Sequence, residues 1–354
     1  EQYAPDGRVA LFQIKATECG DTLVLEGVTT SAEAKEALLA RVMEVAPLVD
    51  DQTRLLPDAA LGDKNWGVIY NSVGTIRGEP RYGAEIVTQT LLGTPVRILE
   101  KRGGWTRIQT PDRYIGWING SVQPLTKELL DESMNHPKII VTAHSTRSYV
   151  APDNPSLPVS DLVAGDLLRL LTVSDTHYRV QYPDGREAFV KREDALPEEE
   201  WRATIELTGE RIANHSLQYM GVPYLWGGTS PKGLDCSGFT KQVYYMHGVV
   251  LARDASQQVL QGELVDEAGD FRDALPGDLV FFGTPAMGEN PRERVVHVGI
   301  YLGNKRFIHA SDYIRINSFD PDDPLYDAFN TNRYLRTKRL IENGKALGGA
   351  ILNK

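Results

Sequence analysis

The sequence predicts a multidomain protein: a short α/β segment, two small antiparallel barrels and a C-terminal α+β domain. Three observations carry this. The chain has 354 residues, too many for one ordinary core and enough for about two to four domains. A strand-turn-strand pattern recurs at an offset of 72 residues. Near the C-terminus, one cysteine opens a helical pattern ahead of three short apolar strands that hold two histidines.

The first segment, 1–61, contains "GRVALFQI" and "TLVLEGV", which read as strands. The helix "SAEAKEALLARVMEV" follows, with Ser31 as cap and an apolar stripe of Ala34, Leu38, Leu39, Val42 and Val45. Cys19 falls in the turn "TECGDT" and reads as a structural thiol, since no histidine is close to it in sequence.

In the repeat, "GTPVRIL" (93–99) aligns with "GDLLRLL" (165–171) and "TRIQTPD" (106–112) with "YRVQYPD" (178–184). Trp117 then falls over Phe189 and Ile118 over Val190. Alternating β-branched and aromatic residues between Gly, Pro and Asp turns predict small barrels at 62–128 and 137–198. The pattern resembles the bacterial SH3-like domain, which commonly accompanies cell-wall hydrolases.

The remainder, 201–340, carries the chemistry. "YLWGGTSPKGLDC" is a Gly-rich approach with no regular period, and "SGFTKQVYYMHGV" resumes a helix with Phe239, Val243 and Met246 on one face. Cys236 therefore lies at a helix N-terminus. Unpaired N–H groups there favour a thiolate over the ordinary thiol of pKa about 8.5, and the turn before it is expected to project the side chain from a loop. "GDLVFFG", "HVGIYLG" and "RFIHAS" read as antiparallel strands, and the turn "GNKR" brings His297 and His309 side by side. A helix-start thiol with two imidazoles on neighbouring strands predicts nucleophilic catalysis. His136, His144, His177, His215 and His247 read as surface or satisfied core residues.

"DCSGF", "GDLVFF", "HVGIYLG" and "FIHAS", in this order, resemble the NlpC-type cell-wall endopeptidases, a papain-like group. The resemblance implies that Cys236 attacks a peptide carbonyl, His297 is the general base and His309 orients it. The Cys236 amide is the first candidate for the oxyanion. The two barrels with "YLWGG" and "RDASQQ" are most similar to the dipeptidyl-peptidase VI branch, which takes murein peptides with a free N-terminal L-Ala and releases L-Ala-γ-D-Glu. This implies an ammonium pocket in which Asp254 is a candidate; an N-cap for the helix "ASQQVLQG" is its structural alternative. Asp235 and Ser237 match the motif around the cysteine and are candidates to line the substrate site. Asp254-Ala255 departs from the Asp-Ser of that branch and lacks one hydroxyl. Glu85 and Tyr114 are further candidates toward the substrate amine, against an exposed carboxylate and a packed barrel aromatic. Tyr224 either lines the groove or packs an interface, and Trp226 is expected to pack.

Composition narrows the classes. Net charge is −10 and no run of Lys or Arg exceeds a pair, so nucleic acid is not an expected partner. No stretch of 18 apolar residues spans a bilayer. Two cysteines in dissimilar settings make no disulfide framework. Without HExxH or paired cysteines no metal site is expected, and no cofactor is implied. The expected partner is a murein peptide in the cell envelope or outside the cell, with cytoplasmic recycling the alternative. A general endopeptidase of intact wall, a wall-binding protein with an inactive thiol, and an acyltransferase or amidase are the competing functions. Oligomeric state leaves no signal in the sequence.

Overall fold

The computed structural model describes residues 3–46, 48–153, 157–286, 293–348 and 350–351. They form two units. The first comprises Glu1–Tyr70, Gly74–Glu85 and Gly93–His136, and the second Asn71–Val73, Ile86–Leu92 and Pro137–Lys354.

The first unit begins with β1 (Phe12–Cys19), β2 (Thr22–Thr29), α1 (Ala32–Met43) and β3 (Leu48–Leu55). Ser31 caps α1 by accepting from the Ala34 N–H at 3.1 Å. The strand β1 starts five residues later than "GRVALFQI" implied, so Cys19 closes a strand and is exposed. The strand β3, "LVDDQTRL", was not expected from its charged composition. It pairs parallel to β2 across the α1 crossover, giving the order β1-β2-β3.

The first barrel contributes β4 (Trp66–Ile69) and β5 (Val73–Arg77). After β6 (Ile86–Leu91) come β7 (Pro95–Arg102), β8 (Trp105–Gln109), β9 (Ile115–Asn119) and β10 (Val122–Leu125). Its strands run in the order β10-β4-β7-β8-β9-β5. The helix α2 (Lys127–Asn135), capped by Thr126, leads out of it.

The second unit contains the other barrel: β11 (Lys138–Val141), β12 (Ser145–Tyr149), β13 (Pro158–Val163), β14 (Leu167–Val173), β15 (His177–Gln181), β16 (Glu187–Lys191) and β17 (Ala195–Pro197). Strands β11 to β16 each begin 72 residues after their counterparts β4 to β9, as 138 − 66 and 187 − 115 show. Even the bulge repeats, at Ile98/Glu100 and at Leu170/Thr172. The order β17-β11-β14-β15-β16-β12 matches the first barrel strand for strand, with β13 beyond β12. Segment 86–92 is built into this unit. Leu92 lies in the core of the second barrel with Val141, Leu168 and Tyr178, and its N–H meets Asp166 Oδ1 at 3.2 Å.

The C-terminal part follows. Two helices, α3 (Glu198–Thr204) and α4 (Gly209–Ser216), precede the ribbon β18 (Thr229–Ser230) and β19 (Gly233–Leu234). Next come α5 (Cys236–Tyr245), β20 (Val249–Val250), α6 (Ala255–Gln258) and β21 (Glu263–Asp266). The chain then forms β22 (Leu279–Thr284), β23 (Arg294–Gly303), β24 (Arg306–Ser311), β25 (Tyr313–Ser318), α7 (Ala328–Thr331) and β26 (Tyr334–Arg339). Six strands make one antiparallel sheet in the order β21-β26-β22-β23-β24-β25. The face of α5 carrying Phe239 and Val243 packs on this sheet against Phe281, Val298, Ile300 and Ile308. Each of these residues is fully removed from solvent, the burial that chiefly stabilises the layer.

Candidate active site

Cys236 is the first residue of α5, and the residue before it builds the helix start. Asp235 is the N-cap: its Oδ1 accepts from the Gly238 N–H at 2.7 Å and its Oδ2 from the Gly227 N–H at 3.0 Å. A Cβ at Gly238 would stand 1.9 Å from the Gly228 carbonyl oxygen, so the motif needs glycine there for backbone contact. Arg253, 2% exposed, grips the same carboxylate. Its Nη1 donates to Asp235 Oδ1 at 3.1 Å and to Ser237 Oγ at 2.9 Å, while Nη2 donates to Oδ2. Asp235 and Ser237 therefore belong to a buried network that brackets the thiol, and Arg253 is a member that the sequence did not single out.

Cys236 does not project from a loop. It is 8% exposed and packs in the core between α5 and the sheet. Burial pushes its thiol up to about 12, with Asp235 acting in the same direction; Arg253 and the N–H groups of Val298 and Ser237 oppose it. The expected thiolate is thus corrected to a neutral thiol, because desolvation outweighs the favourable helix start.

The two histidines meet. His297 Nε2 lies 2.7 Å from His309 Nδ1, and His309 Nε2 lies 2.8 Å from Asn317 Oδ1. Asn317 is oriented by its own amide, which donates to the Leu325 carbonyl at 3.2 Å. Its oxygen therefore faces His309, so His309 carries its proton on Nε2 and accepts on Nδ1. It follows that His297 carries a proton on Nε2 and presents an unprotonated Nδ1. Burial holds His297 well below its ordinary value, the neighbouring His309 adds to this, and the positive charge of Arg333 contributes less. Burial lowers His309 to about 4, against the opposing effect of the hydrogen bond it donates to Asn317. Asn317 gave no signal in the sequence, since its role depends on the β24–β25 pairing that sets Phe307 opposite it.

The remaining candidates distribute as follows. Tyr224 is half-buried near the thiol: burial raises its phenol, and the proximity of Cys236 and Asp235 raises it further. Asp254 is the N-cap of α6, and its N–H donates to Gln257 Oε1 at 3.1 Å. Its carboxylate stands 3.9 Å from Arg253. Glu85 and Tyr114 belong to the first unit, where Glu85 is exposed and Tyr114 is 7% exposed. Trp226, expected to pack, is 62% exposed. Among the described residues no group of three or more His, Cys, Asp or Glu is arranged to hold a metal, and no helix is long and apolar enough to cross a membrane.

A helix-start cysteine packed on an antiparallel sheet that carries a polarised imidazole pair defines the class: a papain-like cysteine peptidase. Comparison with known proteins agrees. The profile described as the NlpC/P60 family matches residues 221–339, and that described as the bacterial dipeptidyl-peptidase Sh3 domain matches 76–121. The gamma-D-glutamyl-L-lysine dipeptidyl-peptidase of Bacillus cereus is 30% identical over 236 residues, 64% of this chain and 67% of that protein. Dipeptidyl-peptidase 6 of Lysinibacillus sphaericus is 29% identical over 273 residues, 73% of this chain and 93% of that protein. A crystal structure of an NlpC/P60 family protein from Bacillus cereus shares the fold, with a TM-score of 0.65, 24% identity, and coverage of 77% of this chain and 99% of that one. The chain belongs to the NlpC/P60 family of peptidoglycan peptidases.

Proposed function

We propose that the protein cleaves the γ-D-glutamyl bond to an L-diamino acid in murein stem peptides whose N-terminal L-Ala is free, releasing L-Ala-γ-D-Glu. The observation that carries the catalytic part is the proton chain Asn317–His309–His297, which leaves His297 Nδ1 as a base. As Cys236 Sγ attacks the γ-carbonyl carbon, His297 takes the thiol proton, and the oxyanion faces the Cys236 amide. Collapse breaks the C–N bond, and His297 returns that proton to the leaving amine. Water then attacks the thioester, gives a proton to His297, and the released sulfur recovers it. His309 holds the imidazole in the tautomer that makes this possible.

The substrate part is supported by the names of the relatives, by Tyr224 near the thiol as a wall of the pocket, and by Asp254, 3.9 Å from the Arg253 that grips the cap of the thiol's helix, as a carboxylate partner for the L-Ala ammonium. A murein-peptide substrate supports work in the envelope or outside the cell, with cytoplasmic recycling of wall peptides the alternative. The test is hydrolysis of L-Ala-γ-D-Glu-diaminopimelate and its L-Lys counterpart, with the amine free and acetylated, followed by mass spectrometry. Release of L-Ala-γ-D-Glu is expected. Acetylation removes the charge and strands a carboxylate, a cost on the order of 2 kcal/mol or more, so kcat/KM should fall at least about 30-fold. Equal rates on both forms, or efficient release from intact sacculi, would identify a general wall endopeptidase instead.

A further inference from the structure

Arg333 stands beside the imidazole pair with part of its guanidinium uncommitted. Its position is fixed: the Arg333 carbonyl accepts from the Gly283 N–H at 2.8 Å, locking it at the junction of β22 and β26. Nε and Nη2 both donate to Asn330 Oδ1, at 3.0 and 2.7 Å. The Cζ lies 4.4 Å from the Phe329 ring centroid and 5.8 Å from that of Phe282. Phe282 is opposite His297 across the β22–β23 pair, with ring centroids 5.5 Å apart. The guanidinium is therefore one aromatic ring away from the base, and its charge acts on Cys236, His297 and His309.

Most covered guanidiniums are ion-paired, Arg107 with Glu100, Arg253 with Asp235, Arg336 with Glu293 and Arg339 with Asp278, while the partly covered Arg77 donates to the Ala84 carbonyl. Among the described residues Arg333 has no such ion pair. The nearest acidic influence, Asp327, is occupied by the Asn330 amide at the start of α7. A half-buried cation facing a base depresses that base and is costly to keep unless something neutralises it. Its planar fork fits a carboxylate, and Phe329, 71% exposed, covers one face of it.

We infer that Arg333 is a specificity residue that binds a substrate carboxylate flanking the scissile bond. This rests on the proposed function for the identity of that carboxylate: the α-carboxylate of D-Glu or that of the diamino acid. Binding it would also relieve His297 of a neighbouring positive charge once substrate is seated.

The test compares the parent, Arg333→Met and Arg333→Lys on L-Ala-γ-D-Glu-L-Lys, on the same peptide with D-isoglutamine in place of D-Glu, and on the C-terminal carboxamide. The parent should lose about tenfold or more in kcat/KM on one of the two amides, which identifies the carboxylate. Arg333→Met should lose that discrimination and Arg333→Lys keep part of it. A Met variant with the parent's preference overturns the inference. A second measurement needs no peptide: alkylation of Cys236 by iodoacetate and by iodoacetamide, in a Cys19→Ser background, followed by peptide mass. The acetate-to-acetamide rate ratio should fall about fivefold or more in Arg333→Met, and an unchanged ratio sinks the receptor. If no peptide is cleaved by the parent, the functional reading fails while the ratio still decides the role of Arg333.

Discussion

His297 donates through Nε2 to His309 Nδ1 across 2.7 Å, and the direction of that bond is set by Asn317, a residue two strands away from His297. Turning the Asn317 acceptor off releases His309 to either tautomer and leaves His297 Nδ1 protonated part of the time. Asn317→Leu should therefore lower kcat at least about tenfold with little change in KM, and His309→Ala should lower it further. Asn317→Asp keeps the acceptor and should stay near the parent. Steady-state kinetics of the three variants decides it; a KM effect without a kcat effect would assign Asn317 to substrate binding.

Cys236→Ser and Cys236→Ala should abolish turnover while leaving the thermal midpoint close to the parent, since the thiol fills little volume. Residual activity within about tenfold of the parent would rule out the thiol mechanism.

Because burial pushes the Cys236 thiol up to about 12, its alkylation by iodoacetamide in the free enzyme should rise continuously between about pH 6 and 9. A plateau in that window would reveal a preformed thiolate. Peptide mass mapping separates this signal from the exposed Cys19.

Stability should fall in mild acid. His215, His247 and His309 are each lowered to about 4 by burial, and His297 is lowered well below 6.5. The unfolded chain takes up these protons first, so the contribution is complete above about pH 6.5 and is lost as pH falls toward 4. Asp166 and Asp278, raised by burial, act in the opposite sense and are outnumbered. Urea midpoints at pH 7.5 and 5 read the slope; a midpoint that rises on acidification would contradict it.

The buried network at the helix start yields a stability prediction. Asp235→Ala strands the Arg253 guanidinium, 2% exposed, and should cost about 3–5 kcal/mol. Adding Arg253→Met should return much of that loss, because an uncharged pair needs no hydration. Denaturant unfolding of the single and double variants measures both.

The barrels and the catalytic strands were legible because their signals are local and periodic. The 72-residue offset reappears in the strands and in the Ile98 and Leu170 bulges. The strand β3 was hidden by its composition: Asp50, Asp51 and Arg54 face away from any core, and parallel pairing rather than alternation holds it. The thiol was misjudged because a helix start is visible in sequence while the sheet covering it is not. Asn317 and Arg253 share that cause, since each acts through partners supplied by distant segments.

The path of segment 86–92 bears on how the gene can be cut. Gln89 Oε1 accepts from the Thr229 N–H at 3.0 Å and from Ser230 Oγ at 3.0 Å, on the ribbon that leads to Cys236. Seven residues encoded inside the first repeat are thus woven into the peptidase. A fragment opening at Pro137 would carry the whole imidazole relay and still lack the filler of one hydrophobic slot and the ligand of the ribbon. Spatial and genetic borders do not coincide here, so recombination that exchanges the first repeat also rewrites the wall of the neighbouring enzyme.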